Sequence, residues 1–411
     1  MDSSRKLAYL IIKDVEAAGA YSNLALNTRL SRTSVESPAL VRELVHGVLR
    51  NRTLLDWQID LYLSNPAINA RLRIILRMGF YQLLFMSEKM PAHAAVNETV
   101  ELANRYIKGF AGLVNAVLRN YLRDGRPVKL PSEDDEVLYL SVKYSCSSQI
   151  VSLWLASYGR QVTENMLKVG LTEPPLGIRP NTLIENNPYL QTQFVEDLKG
   201  MPIDADAYEA GLFSVQDESA RSIVEVFSPL PGQRILDCCA APGGKACAMA
   251  QLMENKGEID ACDIHESRLR LIDKEADRLG IKIIRTHLRD ASEAPAGTEF
   301  SNYDGVLCDV PCSGLGTIRR KPEIKYNFKQ EDIDALAELQ LAILRNSAKS
   351  VKPGGRLMYS TCTVNPAENE AVPEVFLGEA ADFELLEQRQ IFPQEGGSDG
   401  AYYCLMRKKD L

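Results

Sequence analysis

The chain has 411 residues, 45% apolar and 25% charged, with a formal net charge of −8. These are ordinary proportions for a soluble globular protein of two or three domains, and no apolar run approaches the ~20 residues of a membrane span. Nine cysteines with no CxxC pair argue against a disulfide framework or a zinc cluster, and for reduced thiols in a cytosol. Leu7 to Ile12 is apolar but too short for a signal peptide, and Lys13 closes it.

The charge is uneven. Residues 1–130 carry 18 Lys and Arg against 11 Asp and Glu, a balance of +7, which leaves −15 for the remainder. A basic module joined to an acidic one points to a phosphate-rich partner for the first part.

Residues 1–125 read as all helix. Apolar residues recur with a period near 3.6 over Arg5–Ala18, Pro38–Asn51, Leu54–Leu63, Arg71–Met86, His93–Tyr106 and Phe110–Leu122. Pro91 is a start signal, and Asp124-Gly125 with Pro127 is a stop. Arg29, Arg32, Arg42, Arg50, Arg52, Arg71, Arg73 and Arg77 are candidates to line one basic surface, since Arg suits forked phosphate contacts. His46 and His93 read as packed or capping residues rather than ligands. Nothing in this part looks catalytic, so it reads as a helical binding module.

A linker over Pro127–Asp135 leads to a small mixed segment. Helices are expected over Asp135–Tyr144, Ser147–Tyr158, Gln161–Leu171 and Pro188–Leu198, with a short strand at Gly177–Asn181. From Gly211 strands and helices alternate. Strands are expected at Phe213–Gln216, Arg234–Asp237, Glu258–Ala261, Ile281–Thr286, Tyr303–Cys308 and Gly355–Ser360. The helices between them are Asp217–Phe227, the stretch ending at Met253, Ser267–Leu279 and Glu331–Val351. Such alternation implies a parallel sheet with helices on both faces. The expected boundaries are 1–126, 127–210 and 211–411.

Chemistry gathers at the ends of these strands. The loop Asp237-Cys238-Cys239-Ala240-Ala241-Pro242-Gly243-Gly244-Lys245 joins a strand to a helix, and its small residues let backbone N–H groups meet a ligand at the helix N-terminus. It is neither GxGxxG nor a Walker A loop. Asp263 ends the next strand, where an acid takes the ribose hydroxyls of a nucleoside cofactor, and Asp290 follows the third. Together they point to an adenosine cofactor. Two further strands end at Asp309-Val310-Pro311-Cys312 and at Thr361-Cys362-Thr363. Paired thiols at neighbouring strand ends suit a metal site, a redox pair, or a nucleophile and its helper. Metal lacks nearby histidine ligands, and a redox pair is more often CxxC. A thiolate suits attack on an electron-poor ring, with Lys245 and Arg319 as candidate cations to lower its pKa. Cys247, Cys262, Cys308 and Cys404 read as buried small hydrophobes.

These residues match a family. The pieces CCAAPGGK at 238–245, Asp263, Asp290, DVPCSGLG at 309–316, RRKPEIK at 319–325 and YSTCTVNPAENE at 359–370 resemble the Sun (Fmu, NOP2/Sun) family of RNA cytosine-5 methyltransferases. RELVHGVLRN at 42–51 and GLVNAVLRN at 112–120 resemble NusB, an RNA-binding factor. Two departures are Ala246, where the family commonly has Thr, and Cys238, where Ala is usual. The resemblance implies a Rossmann-like α/β methyltransferase domain that depends on S-adenosylmethionine. An all-α NusB-like domain and a small α+β linking domain would precede it. It also implies cofactor contacts from Cys239, Ala240, Ala241, Pro242, Gly243, Gly244, Lys245, Asp263, Asp290 and Asp309. By the same resemblance Cys362 is the nucleophile toward cytosine C6, and Cys312 helps remove the C5 proton and release the enzyme. Asp309 and Lys245 polarise the cytosine N3 edge. The implied partner is small-subunit (16S) ribosomal RNA, with no DNA, membrane or metal, and the protein would act as a cytoplasmic monomer.

Other readings fit less well. A DNA cytosine-5 methyltransferase would use the first cysteine alone. A nicotinamide dehydrogenase needs a different glycine spacing, and a silent RNA-binding factor has no use for the full set of cysteines and acids.

Overall fold

The computed structural model describes residues 3–19, 21–190, 205–294 and 300–410. In chain order the elements begin with α1 Ser3–Ala18, α2 Ser22–Leu30, α3 Pro38–Arg50, α4 Arg52–Asp60, α5 Ala70–Phe85, α6 Ala92–Tyr106, α7 Ala111–Arg123, α8 Glu136–Lys143 and α9 Ser148–Val169. They continue with β1 Ile178–Pro180, α10 Ala205–Glu209, β2 Phe213–Val215, α11 Glu218–Phe227, β3 Arg234–Asp237, α12 Gly244–Leu252, β4 Glu258–Asp263 and α13 Glu266–Arg278. Last come β5 Ile284–Leu288, β6 Tyr303–Asp309, α14 Ile324–Asn327, α15 Gln330–Ala348, β7 Val351–Thr361, α16 Ala371–Glu379, β8 Phe383–Ile391 and β9 Ala401–Lys408.

The chain divides into two compact units. One is Met1–Glu173 with Ile318–Phe328, and the other is Pro174–Thr317 with Lys329–Leu411. The first is helical among its described residues. The six helices expected in residues 1–125 are α1 and α3 to α7, and α2 is an addition. α3 starts where its sequence says it should: Ser37 Oγ accepts from the Leu40 N–H at 3.2 Å, and Pro38 fills the first helical position. The apolar stripes of these helices close one core around Leu44, Val48, Ile75, Phe80, Leu102 and Leu118. The two helices expected over 147–171 both form: α9 is two helical stretches that meet at a kink at Gly159, with φ +72°.

Three of the eight arginines considered for a basic surface are neutralised within the helical unit. Arg77 is only 4% exposed and forks onto Asp56 at 2.7 Å from Nε and 2.7 Å from Nη2, with Glu16 at 2.5 Å. Arg73 pairs with Asp60, and Arg29 with Asp14. A helical period cannot tell a solvent-facing arginine from one neutralised inside the bundle. His93 is exposed at the start of α6, so packing describes only His46.

Ile318–Phe328 belongs to the helical unit although it follows the Cys312 loop in sequence. Glu323 is buried, accepting from the Ser22 N–H at 3.1 Å and the Ser22 hydroxyl at 2.8 Å. Buried Lys325 donates to the Arg50 carbonyl at 2.8 Å.

The second unit carries a seven-stranded sheet in the order β5-β4-β3-β6-β7-β9-β8. The first five strands are parallel, as the alternation implied. β9 and β8, not expected from the sequence, add antiparallel at one edge. The central strands are buried on both faces, whereas β5 and β8 at the two edges are partly open to solvent. Ile235, Ile259 and Leu307 pack with Phe227 of α11 and Met249 of α12, whereas Leu236, Val306 and Cys308 pack with Leu344 of α15 and Phe376 of α16. β1 and β2 form a separate antiparallel pair. The helix expected over Pro188–Leu198 falls largely outside the described residues.

The chain runs from β3 outward to β4 and β5, then returns to β6 on the other side of β3. The carboxyl ends of β3 and β6 therefore flank a point where strand order reverses, which is where an open α/β sheet leaves a crevice.

Candidate active site

Three loops meet beyond that point. The loop after β3 turns back toward its neighbour, with the Ala240 N–H donating to the Cys262 carbonyl at 2.8 Å. Gly243 at φ +105° then starts α12, and a Cβ there would sit 3.2 Å from the Ile272 Cα, so the position suits glycine twice over. The helix brings Lys245 inward. Its ammonium lies 2.7 Å from Asp309 Oδ2 at the end of β6. Burial alone would lower the Lys245 pKa, but the adjacent carboxylate outweighs it and holds the ammonium above its ordinary range. Asp309 Oδ1 accepts from the Ser360 hydroxyl of β7 at 2.8 Å, so one carboxylate ties β6, β7 and α12 together.

The β6 and β7 exits place the two thiols side by side. Parallel register pairs Asp309 with Ser360, and the Cys312 and Cys362 sulfurs come within 3.2 Å. Cys362 is exposed and Cys312 half-buried. The Cys312 thiol is raised well above its ordinary value, first by its hydrogen bond to Cys362 and then by burial. The two thiols thus form one hydrogen-bonded pair, with Cys312 the more deeply placed sulfur. The loops are knitted together: the Gly316 N–H donates to the Cys362 carbonyl at 3.1 Å, and the Gly400 N–H donates to the Gly316 carbonyl at 2.9 Å.

Beside the thiols lies a cavity of 180 Å³ whose walls include Cys239, Ala240, Ala241, Pro242, Gly244, Lys245 and Asp309 from the expected set. It also takes in Gln216, Ala220 and Asp237, which the sequence reading did not assign. Asp237 is fully buried, and neither carboxylate oxygen has a hydrogen-bond partner. Burial and the neighbouring Asp309 push its pKa well up. An orphaned buried carboxyl at the wall of a small-residue cavity fits a ligand that carries positive charge. The sulfonium and ammonium of S-adenosylmethionine have that charge, so the residues present fit the cofactor.

Asp263 and Asp290 do not line this cavity. Asp263 is buried at the end of β4, accepting from the His265 N–H at 3.0 Å, with Arg268 at 3.5 Å. Asp290 is exposed and caps its own turn, accepting from the Ser292 N–H at 2.8 Å and hydroxyl at 2.6 Å. Arg319, the second candidate cation for the thiols, is buried in the helical unit. Cys247, Cys262, Cys308 and Cys404 are buried, as expected. Among the described residues no group of three His, Cys, Asp or Glu side chains is placed to hold a metal ion.

Known proteins share this arrangement. Residues 224–407 match the family described as 16S rRNA methyltransferase RsmB/F, and residues 2–123 match the NusB family. The chain is 36% identical to the probable ribosomal RNA small subunit methyltransferase B of Bacillus subtilis, covering 99% of each chain. It is 31% identical to ribosomal RNA small subunit methyltransferase B of Pseudomonas syringae, covering 94% of this chain and 92% of that one. Among solved structures, PH0851 is similar with a TM-score of 0.78 and 25% identity over 98% of each chain. A methyltransferase homolog protein from Pyrococcus horikoshii matches with a TM-score of 0.57 and 25% identity, over 67% of this chain and 99% of that one. With a NusB-family helical part joined to a Rossmann-like methyltransferase sheet, the chain belongs to the ribosomal RNA small subunit methyltransferase B family of S-adenosylmethionine-dependent enzymes.

Proposed function

We propose that the protein methylates C5 of one cytosine in small-subunit ribosomal RNA through a covalent bond between Cys362 and cytosine C6. The observation that carries this reading is the pair of sulfurs 3.2 Å apart at two neighbouring strand exits. The Cys362 thiolate adds to C6, and the electron pair moves toward C5, which becomes nucleophilic. The Lys245–Asp309 pair faces the N3 edge and stabilises the charge that builds on the ring. When bound, S-adenosylmethionine would be held by Asp237 and the loop 239–245 and would supply an electrophilic methyl group there, leaving as S-adenosylhomocysteine. Cys312 then helps remove the C5 proton. The C6–S bond breaks, C5–C6 unsaturation returns, and Cys362 leaves as thiolate. The target base must be unstacked, which costs least in a loop.

In this reading residues 1–126 bind RNA, residues 127–210 link, and residues 211–411 carry the chemistry. Asp263 and Asp290 complete the cofactor site through its adenosine end. The partner is RNA rather than DNA, and the protein works as a cytoplasmic monomer. The target that the resemblance implies is cytosine 967 in reference numbering. Mass spectrometry of 16S RNA methylated in vitro tests this reading. It predicts 5-methylcytosine at a single position, and a methyl group on an exocyclic nitrogen or a ribose would overturn it.

A further inference from the structure

Glu368 lies in the loop after β7, fully buried, next to the thiol pair rather than within it. Its oxygens gather four donors. Oε1 accepts from the Ser313 N–H at 2.8 Å and from Gln340 Nε2 at 3.1 Å. Oε2 accepts from the Ser313 hydroxyl at 2.5 Å and from Asn365 Nδ2 at 2.9 Å. Ser313 is the residue after Cys312, so the carboxyl holds the backbone that aims that thiol. Gln340 also donates to the Pro311 carbonyl at 3.0 Å, clamping the residue on the other side of Cys312. Tyr359 closes the set: its hydroxyl donates to the Glu368 carbonyl at 2.5 Å and lies 3.2 Å from Gln340 Oε1. No Lys or Arg is among these partners, so only neutral donors face the carboxyl.

We infer that Glu368 is a positioning residue for the release step: it fixes Cys312 against Cys362 and places a negative charge that keeps the shared proton on Cys312. This rests on the covalent reading given above. The groups that face Cys312 are Tyr359 from β7, and Cys362 and Glu368 from the loop that follows it. The Lys245–Asp309 pair faces Cys362. A carboxylate beside Cys312 disfavours a second anion there. Cys312 therefore starts as a thiol donating to the nucleophile. Once Cys362 is bound to carbon and no longer accepts that hydrogen bond, Cys312 loses one cause of its high pKa and can give up its proton, which prepares it to take the proton from C5.

The test measures Cys312 directly. In the full-length Cys362→Ala background, the rate of Cys312 alkylation by iodoacetamide is followed against pH, with and without Glu368→Gln. The proposal predicts that Glu368→Gln moves the midpoint down by about one pH unit or more, with the thermal transition and S-adenosylmethionine binding retained. An unchanged or raised midpoint would overturn it. Should the Gln variant fail to fold, Glu368→Asp keeps the charge and shortens the reach: in the Cys362→Ala background the midpoint should stay within about half a unit, while with Cys362 intact Glu368→Asp should lower turnover at least 10-fold. A midpoint falling as far as predicted for Gln, or unaltered turnover, would count against the proposal. The covalent reading is judged separately. If Cys362→Ala still forms an RNA adduct, that reading fails, whereas an adduct that depends on Cys362 beside an unmoved midpoint leaves it standing and sinks only the role of Glu368.

Discussion

Lys245 Nζ and Asp309 Oδ2 lie 2.7 Å apart, joining the first turn of α12 to the end of β6. The contact links the loop that lines the cofactor cavity to the loop that carries Cys312, and Asp309 also holds Ser360. Replacing Asp309 by Asn keeps the shape but removes the counter-charge. Single-turnover methylation should fall about 100-fold, the usual loss when one preorganised polar contact is removed. The cost in folding should stay within about 1–3 kcal/mol. Activity within twofold of wild type would show that the pair is structural.

Gly316 sits where the loops that carry the two thiols touch. A Cβ there would lie 2.0 Å from the Gly400 carbonyl oxygen and 2.8 Å from that of Cys362. Both are backbone atoms, so neither can swing away. Gly316→Ala should push the Cys362 loop outward, lowering methyl transfer more than 10-fold and costing about 1–3 kcal/mol in unfolding free energy. Paired activity and denaturation measurements check this, and full activity would mean the loops yield without consequence.

His46 gives the helical unit a pH dependence. Burial, reinforced by Arg50 and Arg42 and opposed by Glu43, lowers its pKa to about 4 from an ordinary 6.5. The folded chain therefore binds a proton there later than the unfolded chain does. The contribution is fully present above pH 6.5 and is lost as pH falls toward 4, up to about 3 kcal/mol. Denaturation of wild type and His46→Gln between pH 7 and 4.5 should show their difference shrinking or reversing as pH falls. A constant difference would contradict this account of His46.

Much of this molecule was legible in the sequence because the signals are local. Apolar spacing placed α1 and α3 to α7 within a few residues, and strand exits located Asp309, Cys312 and Cys362. β8 and β9 escaped. β8 is an edge strand whose middle faces water, so it lacks a clean alternation, and β9 is buried along almost its whole length, which leaves no period to read. α2 is short and mostly polar. The placement of Ile318–Phe328 in the helical unit depends on Glu323 and Lys325 reaching Ser22 and Arg50, partners about 300 residues away in the chain. Asp237 shows another limit. It opens the loop legible in the sequence, yet only the fold shows that both its oxygens are left without partners.

The central claim is that Cys362 attacks and Cys312 releases. The most direct measurement is a denaturing gel for protein–RNA adducts, using wild type, Cys312→Ala and Cys362→Ala with S-adenosylmethionine and small-subunit RNA. The account predicts a denaturant-resistant adduct that accumulates with Cys312→Ala and is absent with Cys362→Ala. Accumulation with Cys362→Ala and none with Cys312→Ala would reverse the two roles and contradict it.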